Sequence, residues 1–277
     1  MKGVVLAGGL GKRLYPLTKI TNKHLLPVYS RPMIYYPIQT LVDAGIEDIL
    51  IVTGGNHAGE FLRLLGNGQH FGLKHINYAY QEGEGGIADA LRLAEHFADG
   101  KKIAVILGDN IFERGVGEYI ERFKRQRQGA RILIKKVKDP WRFGVIERRG
   151  GRVISIREKP KRPRSDYIVT GMYMYDSRVF DIIRGLRPSR RGELEITDVN
   201  NAYLKRGELY CDVLKGWWTD SGTFDSLLKA NNLVAKSERK KRIKNKAGDD
   251  GAETEQEDSC HRRCRIYRFQ FYTLYAD

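Results

Sequence analysis

Residues 2–14 read Lys-Gly-Val-Val-Leu-Ala-Gly-Gly-Leu-Gly-Lys-Arg-Leu, and this stretch decides the fold class. Lys2–Ala7 is short, apolar and ends in glycine, the pattern of a strand buried on both faces. Such a strand belongs to a sheet layered with helices, and the next segments alternate accordingly. Residues 32–44 predict a helix stopped at Gly45. Residues 47–55 predict a second buried strand, 58–65 a helix, 75–81 a strand and 87–97 a helix. Residues 102–110 form the most apolar strand, ending at Asp109, and 117–128 and 130–137 add an amphipathic helix and another strand. The expectation is an α/β, Rossmann-like fold, a mostly parallel sheet flanked by helices.

After Pro140 the rhythm changes. Residues 143–160 predict two strands about Gly150-Gly151, a β-hairpin inserted into the α/β body. A strand at 166–176, helices at 179–186 and 193–207, a strand at 208–216 and a helix entered after Gly222 follow. The body is read as residues 1–237. Residues 238–277 differ: a basic run from Arg239 to Lys246, an acidic stretch at 248–258 and an aromatic, β-prone stretch at 264–275. They are read as a poorly ordered tail.

The chain has 277 residues, 41% of them hydrophobic, enough for a sizeable core. It contains no long uncharged apolar run, so no membrane span is expected. The first apolar stretch is short, broken by glycine and followed by Lys12 and Arg13, unlike a secretory signal. Three cysteines make no disulfide framework, and a cytoplasmic location is the default. Cys260-His261-x-x-Cys264 lacks a fourth zinc ligand at the usual spacing. A net charge of +15 favours anionic partners, but binding of nucleic acid is not read from it.

Several positions carry candidate chemistry. Leu6, Gly8, Gly9 and Gly11 form a turn whose backbone N–H groups could approach phosphates, or merely join a strand to a helix. The turn matches neither the Walker nor the Rossmann spacing. Arg13 and Lys23 would add cations for a polyphosphate, though a lone surface lysine is usually solvated. Asp109 lies where an open α/β sheet binds ligands, and is placed either to hold Mg²⁺ or to shape a turn. Asp220, in Trp-Trp-Thr-Asp-Ser-Gly, is a second metal ligand or an N-cap. Glu158 and Lys159 could take sugar hydroxyls and a phosphate, or form a surface ion pair, and Gly144 permits close approach of a ligand. Gln81, with the glycines up to Gly86, could pair with a base edge or flank a flexible connector.

Taken together, LAGGLGKRLYPLT, KHLLPVYSRPMIYYPI, ILIVTGG, LGDNIF, FGVIE, EKP, GMYMYD, RGELEITDVN and WWTDSGT resemble the sugar-1-phosphate nucleotidylyltransferases, in the family's order. The second and eighth of these motifs resemble its thymidylyltransferase branch. The resemblance implies the nucleotide-diphospho-sugar transferase fold, dTTP and glucose 1-phosphate as substrates, Mg²⁺ as cofactor and dTDP-glucose and pyrophosphate as products. It implies that Leu6, Gly8, Gly9 and Gly11 line the nucleotide, Arg13 holds the β- and γ-phosphates, and Lys23 neutralises the reacting phosphates. Gln81 and Gly86 would read thymine, and Asp109 and Asp220 would hold Mg²⁺, Asp109 beside the nucleotide. Gly144, Glu158 and Val169 would contact the sugar, Lys159 its phosphate, and Arg191 would lie near them. UTP, another sugar 1-phosphate, or a non-catalytic subunit on the same fold are the alternatives. Family members are commonly tetramers or dimers, so a homo-oligomer is expected. Two departures stand out: Lys12 replaces a usual threonine, and residues 81–90 lack a frequent proline. The segment after Ser237 also does not resemble the family's C-terminal helices that build a regulatory nucleotide site.

Overall fold

The structure is a computed structural model that describes residues 1–252, with side chains to Ile243 apart from Asn56. Residues 1–235 form one compact unit, and the described residues from 236 onward belong to a second. The chain opens with β1 (Lys2–Ala7), a short ribbon of β2 (Pro27–Val28) with β3 (Arg31–Pro32), and α1 (Tyr35–Asp43). Then come β4 (Ile49–Gly54), α2 (Ala58–Leu65), β5 (Ile76–Gln81), α3 (Ile87–Arg92) and α4 (Glu95–Ala98). The region expected as one helix at 87–97 is thus two, because Leu93 and Ala94 donate backwards by three residues and tighten the turn between them. β6 (Ile103–Leu107), β7 (Asn110–Phe112), α5 (Gly117–Arg125) and β8 (Ala130–Lys136) complete the alternating half.

The second half holds the hairpin β9 (Gly144–Arg149) and β10 (Arg152–Glu158), then β11 (Tyr167–Tyr175) and α6 (Val179–Arg184). Gly150 and Gly151, at φ 55° and 78°, supply the two positive-φ residues a tight hairpin turn demands. α7 (Ile196–Lys205), β12 (Leu209–Val213), β13 (Trp218–Asp220) and α8 (Phe224–Ala252) close the described chain. α8 passes through Ser237 to Ala252. Residues 238–247 are mostly good helix formers without glycine or proline, so nothing local stops the helix there. The Cys260–Cys264 motif and the aromatic stretch at 264–275 lie outside the described residues.

The main sheet runs β10-β9-β11-β6-β1-β4-β5, with β8 beside β11 and β12 beside β8. The segment β6-β1-β4-β5 is wholly parallel, as the alternation predicted. β11 runs antiparallel to β6, β8 and β9 and carries the hairpin to the sheet's other side. Within β1, Val5 and Ala7 enter one apolar layer with α1, α2 and α5, while Val4 and Leu6 enter the other with α3, α6 and α7. A strand buried on both faces therefore sits at the centre, which is why its sequence lacks polar alternation. Two-sided burial also fixes its register: a slip by one residue would exchange the two layers.

Asp176 locks the end of β11. Its carboxylate accepts from Gly129 N at 2.6 Å, Arg178 Nη2 at 2.6 Å and Tyr203 Oη at 2.7 Å. Burial works to raise its pKa, but these donors and the Arg178 charge hold it below the usual carboxylate range. The unfolded chain therefore takes up a proton before the native one does, so this contribution is complete above about pH 4 and is lost as the pH falls further. Asp176→Asn is expected to cost about 1–3 kcal/mol at neutral pH. Urea unfolding read between pH 3 and 7 checks this, and the variant should show a shallower decline in stability towards acid.

Candidate active site

β1 and β6 are parallel neighbours, with Leu6 opposite Leu107, so the residues after each strand emerge at one sheet edge. Beyond β1 the glycine turn leads through Gly11 into a single 3₁₀ turn at Lys12–Leu14. Gly11 holds φ 64°, and a Cβ there would lie 2.8 Å from Thr18 Cγ2 and 3.1 Å from Lys23 Cβ. Only glycine lets the turn lie against the segment that carries Lys23. Beyond β6, Lys23 Nζ donates to Asp109 Oδ2 at 2.6 Å, with both side chains largely buried.

Burial alone would raise the Asp109 pKa. The Lys23 charge, the nearby His24 and hydrogen bonds from Lys23 and Asn110 overcome it and hold the carboxyl far below its ordinary range. His24 is pushed the other way, down to about 3, first by burial and then by the Lys23 charge. It is therefore neutral at pH 7 and donates Nδ1–H to Asn22 Oδ1 at 2.8 Å. A Cβ on Gly108 would meet the His24 ring at 2.8 Å, so the glycine before Asp109 makes room for this support.

β13 pairs with β7, setting Asp220 opposite Asn110, and Ser221 N donates to the Asp109 carbonyl at 2.8 Å. Asp220 is not the cap of α8: Thr223 Oγ1 accepts from Ser226 N at 3.3 Å in that role. The Asp220 pKa is raised, by burial first and then by the Asp109 charge, with Arg142, Arg13 and Lys23 opposing. Two hard carboxylates, one of them destabilised by the other's charge, suit Mg²⁺, which keeps waters and substrate oxygens as its remaining ligands. Among the described residues no group of three or more metal-ligating side chains is assembled.

A cavity of about 530 Å³ joins this edge to the hairpin. It brings together every candidate position read from the sequence. Leu6, Gly8, Gly9, Gly11 and Arg13 come from the glycine turn, Lys23 and Asp109 from the buried pair, and Gln81 and Gly86 from the loop after β5. Gly144, Glu158, Lys159 and Val169 come from β9, the end of β10 and β11, and Arg191 and Asp220 from the later chain. Gly144 and Glu158 are paired across the hairpin. Glu158 accepts from Thr197 Oγ1 at 2.6 Å, and Arg191 donates to Glu193 at 2.5 Å and to Glu195 at 3.1 Å. Lys159 Nζ lies a loose 3.7 Å from Glu158, and among the described residues no carboxylate pairs with Arg13.

The family model described as nucleotidyl transferase matches residues 2–237. The chain belongs to the nucleotidyl transferase family. A glucose-1-phosphate thymidylyltransferase from Neisseria meningitidis is 46% identical over 238 residues, covering 84% of this chain and 82% of its own. A crystal structure described as a glucose-1-phosphate thymidylyltransferase from Bacillus anthracis, in complex with a sucrose, is 53% identical. It covers 84% of this chain and 94% of that one, with a TM-score of 0.81. A UDP-glucose pyrophosphorylase complexed with UDP-glucose, 23% identical, shares the fold with a TM-score of 0.74 over 85% of this chain and 98% of its own.

In this nucleotidyl transferase the residues that hold the site in shape carry no local signal in the sequence. Asn110 is buried, donates to Asp109 Oδ1 at 2.9 Å, and accepts from Trp218 Nε1 at 2.7 Å and Gly171 N at 3.0 Å. Thr197 and Arg142 also line the cavity, Arg142 lying 3.6 Å from Asp220. Arg142 stands two residues before Gly144, but only the fold shows what it faces, and Thr197 meets Glu158 from 39 residues away. Asn110→Ala leaves the Trp218 and Gly171 N–H groups buried without an acceptor, at about 1–3 kcal/mol for each. A urea midpoint lowered by at least one such loss, at unchanged slope, is the expected result.

Proposed function

We propose that this nucleotidyl transferase moves a thymidylyl group from dTTP to glucose 1-phosphate, giving dTDP-glucose and pyrophosphate. The observation that carries the reading is the convergence of Arg13, Lys23 and Lys159 with Asp109 and Asp220 on one cavity. That wall suits a reaction between two anions.

The sugar phosphate is already an anionic nucleophile, so the reaction needs no general base. An oxygen of glucose 1-phosphate attacks the α-phosphorus of dTTP, a new P–O bond forms, and the anhydride bond to the β-phosphate breaks as pyrophosphate leaves. Positioning and charge cover are what the protein must supply. The glycine turn lays backbone N–H groups along the triphosphate, and Arg13, which pairs with no carboxylate among the described residues, holds the departing phosphates. Lys159, only loosely tied to Glu158, aims the sugar phosphate, while Glu158 takes sugar hydroxyls with its free oxygen. Gly144 and Val169 bound the sugar, Arg191 stands beside them, and Gln81 with Gly86 reads the base. Lys23 stays fixed on Asp109 and shields the negative charge near the α-phosphate.

Asp109 and Asp220 would hold Mg²⁺, which when bound supplies charge neutralisation at the phosphates. The same reading carries the expectation of a cytoplasmic homo-oligomer. Among the described residues no helix is long and apolar enough to cross a membrane.

Pyrophosphate release with glucose 1-phosphate and Mg²⁺ tests the reaction, with dTTP and UTP compared at equal concentration. Faster release with dTTP is expected. A preference for UTP would overturn the base assignment, and release with neither would overturn the reaction. Asp109→Ala should lower turnover on the order of a hundredfold or more, as removal of a fixed electrostatic group does. An unchanged rate at saturating Mg²⁺ would contradict its role.

A further inference from the structure

Gln81 ends β5 and is buried at the cavity wall. A side-chain amide can present either its carbonyl or its NH₂, and the neighbours decide which. Here Nε2 donates to Asp89 Oδ2 at 2.9 Å and to the Gly86 carbonyl at 3.2 Å. Both partners only accept, so the amide has one orientation. Its Oε1 is turned towards Gly8, 2.7 Å from where a Cβ would stand there, and among the described residues no protein donor satisfies it. Asp89 is itself held from behind, since Arg92 Nη2 donates to its Oδ1 at 2.9 Å. Gly85 lies so close that a Cβ would fall 2.3 Å from Asp89 Oδ2, so the loop before α3 is shaped around this carboxylate.

We propose that Asp89, braced by Arg92, is a positioning residue that sets base selectivity by fixing the Gln81 amide with its carbonyl towards the ligand. An acceptor at that point matches a base that offers an N–H at ring position 3, as thymine and uracil do. It opposes cytosine, whose ring nitrogen at that position is also an acceptor. The relay thus selects keto pyrimidines over amino pyrimidines and does not separate thymine from uracil. The inference rests on the proposed reaction only for the class of base that reaches Gln81.

The substitution Asp89→Asn reverses one link. Arg92 can only donate, so it keeps the new side chain's oxygen, and the new NH₂ then faces Gln81 Nε2. Two donors repel, and only the Gly86 carbonyl then favours the wild-type orientation, so the Gln81 amide no longer keeps its carbonyl fixed towards the base. Binding of dTTP and dCTP by calorimetry and pyrophosphate release with each, for the full-length protein and the variant, test this. The expected result is a wild-type preference for dTTP that falls about tenfold or more in the variant, the change lying mainly in KM rather than kcat. The dTTP-to-UTP ratio should move little. Where Asp89→Asn does not fold, Asp89→Ala, which leaves the Gly86 carbonyl as the amide's remaining partner, should show a smaller loss in the same direction.

A folded variant with the wild-type dTTP-to-dCTP ratio would overturn the inference. So would a wild type that does not distinguish the two nucleotides in binding. A wild type that distinguishes them in binding but releases no pyrophosphate would overturn the proposed reaction alone, and the binding ratio of the variant then decides the role of Asp89.

Discussion

The pairing of Lys23 with Asp109 is the constraint on which the site depends. Parallel β1 and β6 deliver the glycine turn and Asp109 to the same edge, but the strands alone would leave a buried carboxylate beside a loose loop. A carboxylate taken out of water without a partner is costly, and Lys23 at 2.6 Å offsets that cost while tying the two segments together. The backbone of Asp109 then receives Ser221 N, and its neighbour Asn110 holds Trp218 and Gly171. Four distant parts of the chain are fixed by reference to one ion pair. The pairing of β13 with β7 brings Asp220 close enough to Asp109 to feel its charge.

Charges and neutral groups divide the work. The wall that would face phosphates holds a locked cation, Lys23, and two looser ones, Arg13 and Lys159. A locked cation contributes a field that costs no reorganisation when charge develops, whereas a loose one can follow a leaving or arriving group. At the end that would face a base, Glu84 is neutralised by Lys12 at 2.6 Å. Asp89 and Arg92 bear opposite charges but act on the cavity through the orientation of one neutral amide. A neutral acceptor discriminates by leaving a mismatched partner unsatisfied, and it does so without attracting the wrong anion. Within one cavity, then, attraction and selection come from different kinds of group.

How far this could be read from sequence follows the range of each interaction. The α/β alternation, the two-sided burial of β1 and the hairpin at Gly150-Gly151 depend on near neighbours, and their patterns are visible in the chain. Asp109 is legible as a candidate ligand because a carboxylate ending the most apolar strand lies where such sheets bind ligands. The roles expected of Val169 and Arg191 come from resemblance, since nothing local distinguishes them, whereas Lys159 beside Glu158 is readable as a candidate phosphate-binding cation. Thr197 on Glu158, Arg142 near Asp220 and the Asn110 hub were not legible, because each joins segments whose separation along the chain bears no relation to any period. The change in composition near Ser237 is legible and lies beside the end of the compact unit at Ala235, but it does not end α8, because residues rich in lysine and arginine continue a helix as readily as they leave one.

The glycines show how much of this long-range information is present in the sequence in hidden form. Gly8, Gly85, Gly108 and Gly171 have ordinary local readings as turns or strand interruptions, and none of them has a positive φ. Each is small because another side chain occupies the space a Cβ would need: Gln81, Asp89, His24 and Asn110 respectively. Gln81 and Asp89 are the pair proposed to meet the base, His24 packs beneath the Asp109 turn, and Asn110 joins Asp109 to β11 and β13. A glycine that backbone geometry does not require is thus a sign of close packing, and at this site the packed partner is a polar group with a defined task. Flexibility would predict the opposite arrangement, with open space beside each glycine, as at Gly9, where a Cβ would meet nothing within 4 Å. The glycine turn therefore combines two physical functions, and only the packing partner separates the residues that free the backbone from those that make room for a functional side chain.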